Sequence, residues 1–155
     1  MSLTHEFFLL SRDFDLNDRY EWYTNHRNTW AEKTNVSDET IQYLTDFLNW
    51  LPSYNPETRE SHKGLNYYGV TVIKNPGAEK LIKILEKWLK LIEEAPDTFS
   101  LRGDTVWKEE ENEEGYWEQT RNWIEREAMQ SELEILLSLA VKASNNDQLI
   151  IHFGI

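Results

Sequence analysis

"LNYYGVTVIKNPGAEKLIKILEKWLKLIEE" (residues 65–94) decides the fold class. Its first ten residues are rich in β-branched and aromatic side chains, the composition of a strand. Asn75 and Pro76 then punctuate the chain, with Asn75 placed to cap and Pro76 to open a helix. At about 100° per residue, Leu81, Ile82, Ile84, Leu85, Trp88, Leu89, Leu91 and Ile92 fall on one half of that helix. Lys80, Lys83, Glu86, Lys87, Lys90, Glu93 and Glu94 fill the other half. An apolar face this wide suits packing across a sheet or between two layers.

Working outward, the residues before this unit give a strand over Phe7–Phe14, turn chemistry at 15–18, and an ambiguous aromatic stretch over 19–33 with Tyr20, Trp22, Tyr23 and Trp30. A helix is expected over Ser37–Leu51, with Ser37 as N-cap, Val36 and Ile41 at staple spacing, and Ile41, Leu44, Leu48 and Leu51 on its buried face. Pro52 ends it, and 53–64 reads as a polar loop. After residue 94 come a connection with a short extended piece (95–104) and two strands, Thr105–Glu110 and Tyr116–Gln119, around a turn over Glu111–Gly115. Gly115 can take a positive φ there. A long helix over Asn122–Ser144 has Met129, Leu133, Leu136, Leu137, Ala140 and Val141 on its core face, and "QLIIHFGI" closes the chain as a strand tied into the sheet. The order implies one α+β domain, residues 1–155, with helices packed on one face of a largely antiparallel sheet as a single pair of layers; a mixed sheet is the alternative.

Composition narrows the function classes. The 155-residue chain has no cysteine, which excludes disulfides, thiolate metal sites and cysteine nucleophiles and suits a cytoplasmic location. The first residues lack a basic n-region and a sufficient apolar run, so no signal peptide is expected, and no apolar stretch is long enough to span a membrane. Net charge is −12; residues 104–155 hold 12 acids and 4 bases, so the last third carries −8 of it. Such a field repels nucleic acid and anionic membranes and attracts basic surfaces.

No nucleophile elbow, P-loop, dinucleotide fingerprint or zinc-protease motif occurs, and no cofactor or metal is expected. The histidines are His5, His26, His62 and His152, with no chelating local spacing. His152, in an apolar strand, reads either as a hydrogen-bonded core residue or as a general base partnered by a carboxylate such as Glu118 or Glu127. The lysines of 80–90 read as a solvated face held by Glu79–Lys83 and Glu86–Lys90 pairs.

What remains is "DTVWKEEENEEGYWEQ" (104–119), with seven carboxylates, one lysine and three large aromatics. One reading is an edge hairpin whose charge discourages sheet aggregation. The other is a recognition surface for a basic protein, formed by Trp107, Glu109, Glu110, Glu111, Glu113, Glu114, Tyr116 and Trp117, since aromatic anchors with a charged rim characterise tight interfaces.

"YYGVTVI", the stretch "LIKILEKWLKLIEEAPDTFSLRGD" and the terminal "IIHFGI" resemble small bacterial immunity proteins of polymorphic toxin systems, over about 45 residues (67–104 and the last strand). The resemblance implies a cytoplasmic, non-enzymatic antitoxin that blocks a cognate, often basic, toxin by direct binding. It carries no catalytic or contact residue across. A small enzyme and a structural or adaptor subunit with an exposed apolar helix face are the alternatives, and the oligomeric state stays open.

Overall fold

The computed structural model describes residues 3–155. Its main sheet has six strands in the order β2-β1-β8-β5-β3-β4, every neighbouring pair antiparallel. These are β1 (Thr4–Leu10), β2 (Lys33–Ser37), β3 (Pro52–Asn55), β4 (Glu60–Lys63), β5 (Val70–Ile73) and β8 (Leu149–Phe153). The terminal strand β8 lies at the centre, between β1 and β5, and all five of its residues are buried. The fold is α+β, and the sheet contains no parallel pair among the described residues.

Alternation along the strands gives the sheet two apolar faces. Phe7, Leu9, Ile73 and Ile150 meet three helices: α2 (Asp38–Leu48), α3 (Gly77–Ile92) and α4 (Arg126–Asn145). Phe8, Leu10, Val72, Ile151 and Phe153 face the other way. That second face is not open: the ambiguous stretch 19–33 forms the short helix α1 (Arg19–His26), and Trp22, Tyr23 and Trp30 pack there. Tyr23 stacks on Phe153 at 4.2 Å and Trp22 meets Phe8 edge-on at 5.2 Å. Three helices therefore share one face, and an aromatic cover seals the other.

Several boundaries differ from expectation. The first strand starts at Thr4 and ends at Leu10, because residues after it turn back to cover the second face. The polar loop 53–64 is a hairpin, β3–β4, whose Tyr54 supplies the inward contact and whose outer strand is fully exposed. The strand expected from residue 65 is regular only over Val70–Ile73; residues 67–69 instead receive backbone hydrogen bonds from Gly154 and Ile155. A Cβ on Gly154 would lie 2.0 Å from the Tyr67 carbonyl, so only glycine fits this approach. In α4, Leu139 is buried and Val141 is exposed, the reverse of the expected core face. Helix α4 begins at Arg126, because residues 122–125 alternate as strand with Ile124 inward and Trp123 outward.

Ser37 occupies the N-cap position of α2, yet its hydroxyl makes no cap bond to the helix backbone. The Ser37 hydroxyl lies 2.8 Å from that of Thr40, and Glu132 of α4 reaches this end of the helix: its Oε2 accepts from the Ser37 amide and hydroxyl, each at 3.3 Å, and from the Thr40 hydroxyl at 3.4 Å. Burial of this carboxyl raises its pKa, and those three donors oppose the shift.

Candidate functional site

The stretch 104–119 forms the distal part of a two-stranded antiparallel sheet separate from the main one, β6 (Thr98–Lys108) and β7 (Tyr116–Glu125). Its strands run longer than expected at the base, where Leu101 and Ile124 are buried in the main core and Phe99 packs against it. Beyond Gly103 the character changes. No side chain from Asp104 to Gln119 is buried, and the hydrogen bonds of this segment stay within the hairpin. The hairpin is thus anchored by three apolar residues and presents its tip to solvent.

A bulge marks the change. Arg102 pairs with Arg121 and Thr105 with Gln119, so β6 carries one extra residue there. The carbonyls of the bulge are taken up by side chains: the Thr120 hydroxyl donates to Asp104 O at 2.7 Å and the Gln119 amide donates to Gly103 O.

At the tip, Glu109, Glu110, Glu111, Glu113 and Glu114 occupy the loop between the strands and are all exposed. The Glu113 amide donates to Glu110 O at 3.1 Å, and Asn112 holds a φ of 72°. The positive φ therefore belongs to Asn112 and not to Gly115. Asparagine tolerates the left-handed region by bonding locally. Gly115 serves a different need, since a Cβ there would lie 2.2 Å from the Trp107 ring.

Trp107 and Trp117 are direct cross-strand partners, with ring centroids 5.3 Å apart at 66°. Their exposures are 48 % and 67 %, and Tyr116 is also exposed. The Trp107 indole N–H donates to Glu109 Oε1 at 2.8 Å, tying ring and carboxylate together. Lys108 is engaged by Glu118 in an ion pair that raises the lysine pKa. The other carboxylates of the tip have no ion-pair partner among the described residues. All eight residues of the expected surface are therefore brought together at one end of one element. Sequence reasoning missed Trp123, 73 % exposed, and the exposed pair Arg102–Arg121. Trp117, Arg121 and Trp123 share one face of β7 by their even spacing. From 98 to 125 there are eight acids against three bases, a net −5.

His152 lies elsewhere, wholly buried at the centre of the sheet. Its Nε2 is 2.9 Å from His5 Nδ1, and His5 Nε2 is 3.1 Å from Asp38 Oδ1. The Tyr67 hydroxyl also donates to Asp38 Oδ1, and Gln42 donates to Oδ2 at 2.8 Å. On the far side, His152 Nδ1 is 3.4 Å from the Thr71 hydroxyl, which accepts the Asn66 amide at 2.7 Å. One set of tautomers satisfies every contact: Thr71 donates to His152 Nδ1, His152 Nε2–H to His5 Nδ1, and His5 Nε2–H to Asp38. Burial lowers the pKa of both histidines, His152 most strongly, while Asp38 partly opposes the shift at His5. Tyr67 is pushed up to about 12 by burial and by its bond to Asp38. The carboxylate on this network is thus Asp38, reached through His5. Glu118 pairs with Lys108, and Glu127 sits exposed at the start of α4. His152 has no exposed surface, and no group of three or more His, Asp or Glu side chains among the described residues is disposed to hold a metal ion.

No helix among the described residues is long and apolar enough to cross a membrane. No protein-family model matches the chain, no curated protein matches it, and no solved structure matches it.

Proposed function

We propose that this protein is a non-enzymatic binding protein of the immunity type, which neutralises a basic toxin by docking its acidic, tryptophan-flanked hairpin onto a cationic surface. The observation that carries the reading is the tip itself: five exposed glutamates without an ion-pair partner beside a paired, half-exposed Trp107 and Trp117. Like charge held this densely gains nothing for folding, since each close pair repels by about 1 kcal/mol in water. A cationic partner relieves that repulsion, and the field accelerates encounter. The indoles supply apolar area at little entropic cost, because a cross-strand contact and the Glu109 bond already hold Trp107. A cytoplasmic location follows from the same reading.

The test is affinity capture from the native cell with the parent protein and with Glu109, Glu110, Glu113 and Glu114 all changed to Lys. The reading expects a basic protein recovered by the parent and lost with the variant. Equal recovery by both would overturn it.

A further inference from the structure

On the helical layer, α3 and the C-terminal end of α2 enclose an open groove of about 340 Å³ lined by Phe47, Trp50, Ile84, Trp88 and Leu91 with Lys80, Lys83 and Lys87. Its aromatic residues belong to a ladder that continues beyond it to Tyr43. Tyr43 meets Trp88 edge-on at 5.2 Å, Trp88 meets Phe47 at 5.3 Å, and Phe47 meets Trp50 at 5.2 Å. Trp50 and Leu91 are each 60 % exposed, more than folding alone explains for such large apolar side chains at one place.

The lysines give the groove a polarity. The expected pairs Glu79–Lys83 and Glu86–Lys90 do not form, and Lys80, Lys83 and Lys87 are in no ion pair among the described residues. At about 100° per residue, the three lysines and then Leu91, Ile84 and Trp88 occupy adjacent sectors of one helix surface. A cationic rim therefore runs beside an apolar bed. Between Lys80 and Lys87 the helix rises about 10 Å, so three charges are spread along the groove rather than gathered at one point.

That spacing selects the ligand. A single-headed amphiphile needs one cation at one end. A helix lying along the groove can present carboxylates at the same one, four and eight register, with apolar residues alongside them, which is the helix-in-groove mode of recognition. We infer that this groove is a second docking site, built for an acidic amphipathic helix of a partner protein and distinct in charge and in elements from the hairpin.

The probe is a capped, fluorescein-labelled twelve-residue helical peptide with glutamate at its first, fourth and eighth positions and leucine at its fifth, ninth and twelfth. Binding to the full chain is followed by anisotropy, with thermal melts confirming that each variant is folded. Saturable binding is expected, weakened about tenfold or more by Lys80→Glu, Lys83→Glu and Lys87→Glu together, and about tenfold by Trp50→Ala. The hairpin charge reversals should leave it unchanged, which separates this site from the one above. Lack of binding, equal binding of the lysine-for-glutamate peptide, or equal binding by the triple lysine variant would overturn the inference. So would dodecanoate occupying the groove where the peptide does not, which assigns a single-headed amphiphile. Self-association of the parent chain abolished by the triple variant would also overturn it, by assigning a second copy.

Discussion

Trp107 lies so close over Gly115 that a Cβ at residue 115 would sit 2.2 Å from the indole ring. The glycine thus sets the pose of the ring that pairs with Trp117, although the two residues belong to opposite ends of the loop. Gly115→Ala should leave global stability within about 0.5 kcal/mol, because the site lies at the hairpin tip, where no neighbouring side chain is buried. It should displace the indole and break its bond to Glu109. The indole N–H resonance of Trp107 reports this directly. An unmoved resonance would show that the ring tolerates the methyl group.

The buried His5–His152 pair makes stability depend on pH in a defined direction. Both histidines have pKa values below the ordinary 6.5 in the folded state, so the unfolded chain binds more protons as pH falls through 6.5. Their contribution is complete above that value and declines below it. For a histidine that stays neutral when folded, the loss reaches about 1.4 kcal/mol at pH 5.5. Urea unfolding should show lower stability at pH 5.5 than at pH 7.5, by about this much, and His152→Asn should reduce the difference. A flat parent profile would contradict the burial of neutral histidines. Glu132 acts in the opposite sense, its carboxyl being raised by burial.

Glu132 joins α4 to the start of α2, and its removal should loosen both. Glu132→Ala leaves the Ser37 amide without its acceptor and the Ser37 and Thr40 hydroxyls with only each other, 2.8 Å apart. A loss of about 1–2 kcal/mol is expected. Hydrogen exchange at the first turn of α2 should rise more than exchange in β8. Uniform acceleration would indicate that the contact matters no more than any other.

The legible parts of this sequence were those governed by local periodicity. The helix of 65–94 and the terminal strand appear where helical spacing and composition place them, although the strand before that helix keeps only Val70–Ile73 and the helix opens at Gly77 with Pro76, not Asn75, at its cap; the acidic tip is exposed because carboxylates demand it. The rest was set by tertiary context. Residues 19–33 carry aromatics without clear periodicity because they cover a sheet face that their own sequence does not contain. Tyr54 turned a polar loop into a strand with a single inward contact. The Asp38–His5–His152 network joins residues up to 147 positions apart, and nothing in its local sequence marks the partners. The groove was hidden for a related reason: the lysine stripe is on α3, but Phe47 and Trp50 that close it come from the region of α2.

The hairpin's anchorage should be separable from its tip. Ile124→Ala removes a contact in the main core and should cost about 2–4 kcal/mol. Reversing the tip glutamates should leave the melting temperature close to that of the parent, since no tip side chain is buried. A large stability loss from the tip variant would mean that the glutamates serve folding.

The most direct measurement of the docking claim is the association rate of the captured basic protein, taken across a range of ionic strength. The parent should associate fast at low salt and slow steeply as salt rises, and the Glu109, Glu110, Glu113 and Glu114 to Lys variant should be slower by about tenfold or more at low salt. An unchanged rate and an unchanged salt slope in that variant would show that the acidic hairpin is not where the partner lands.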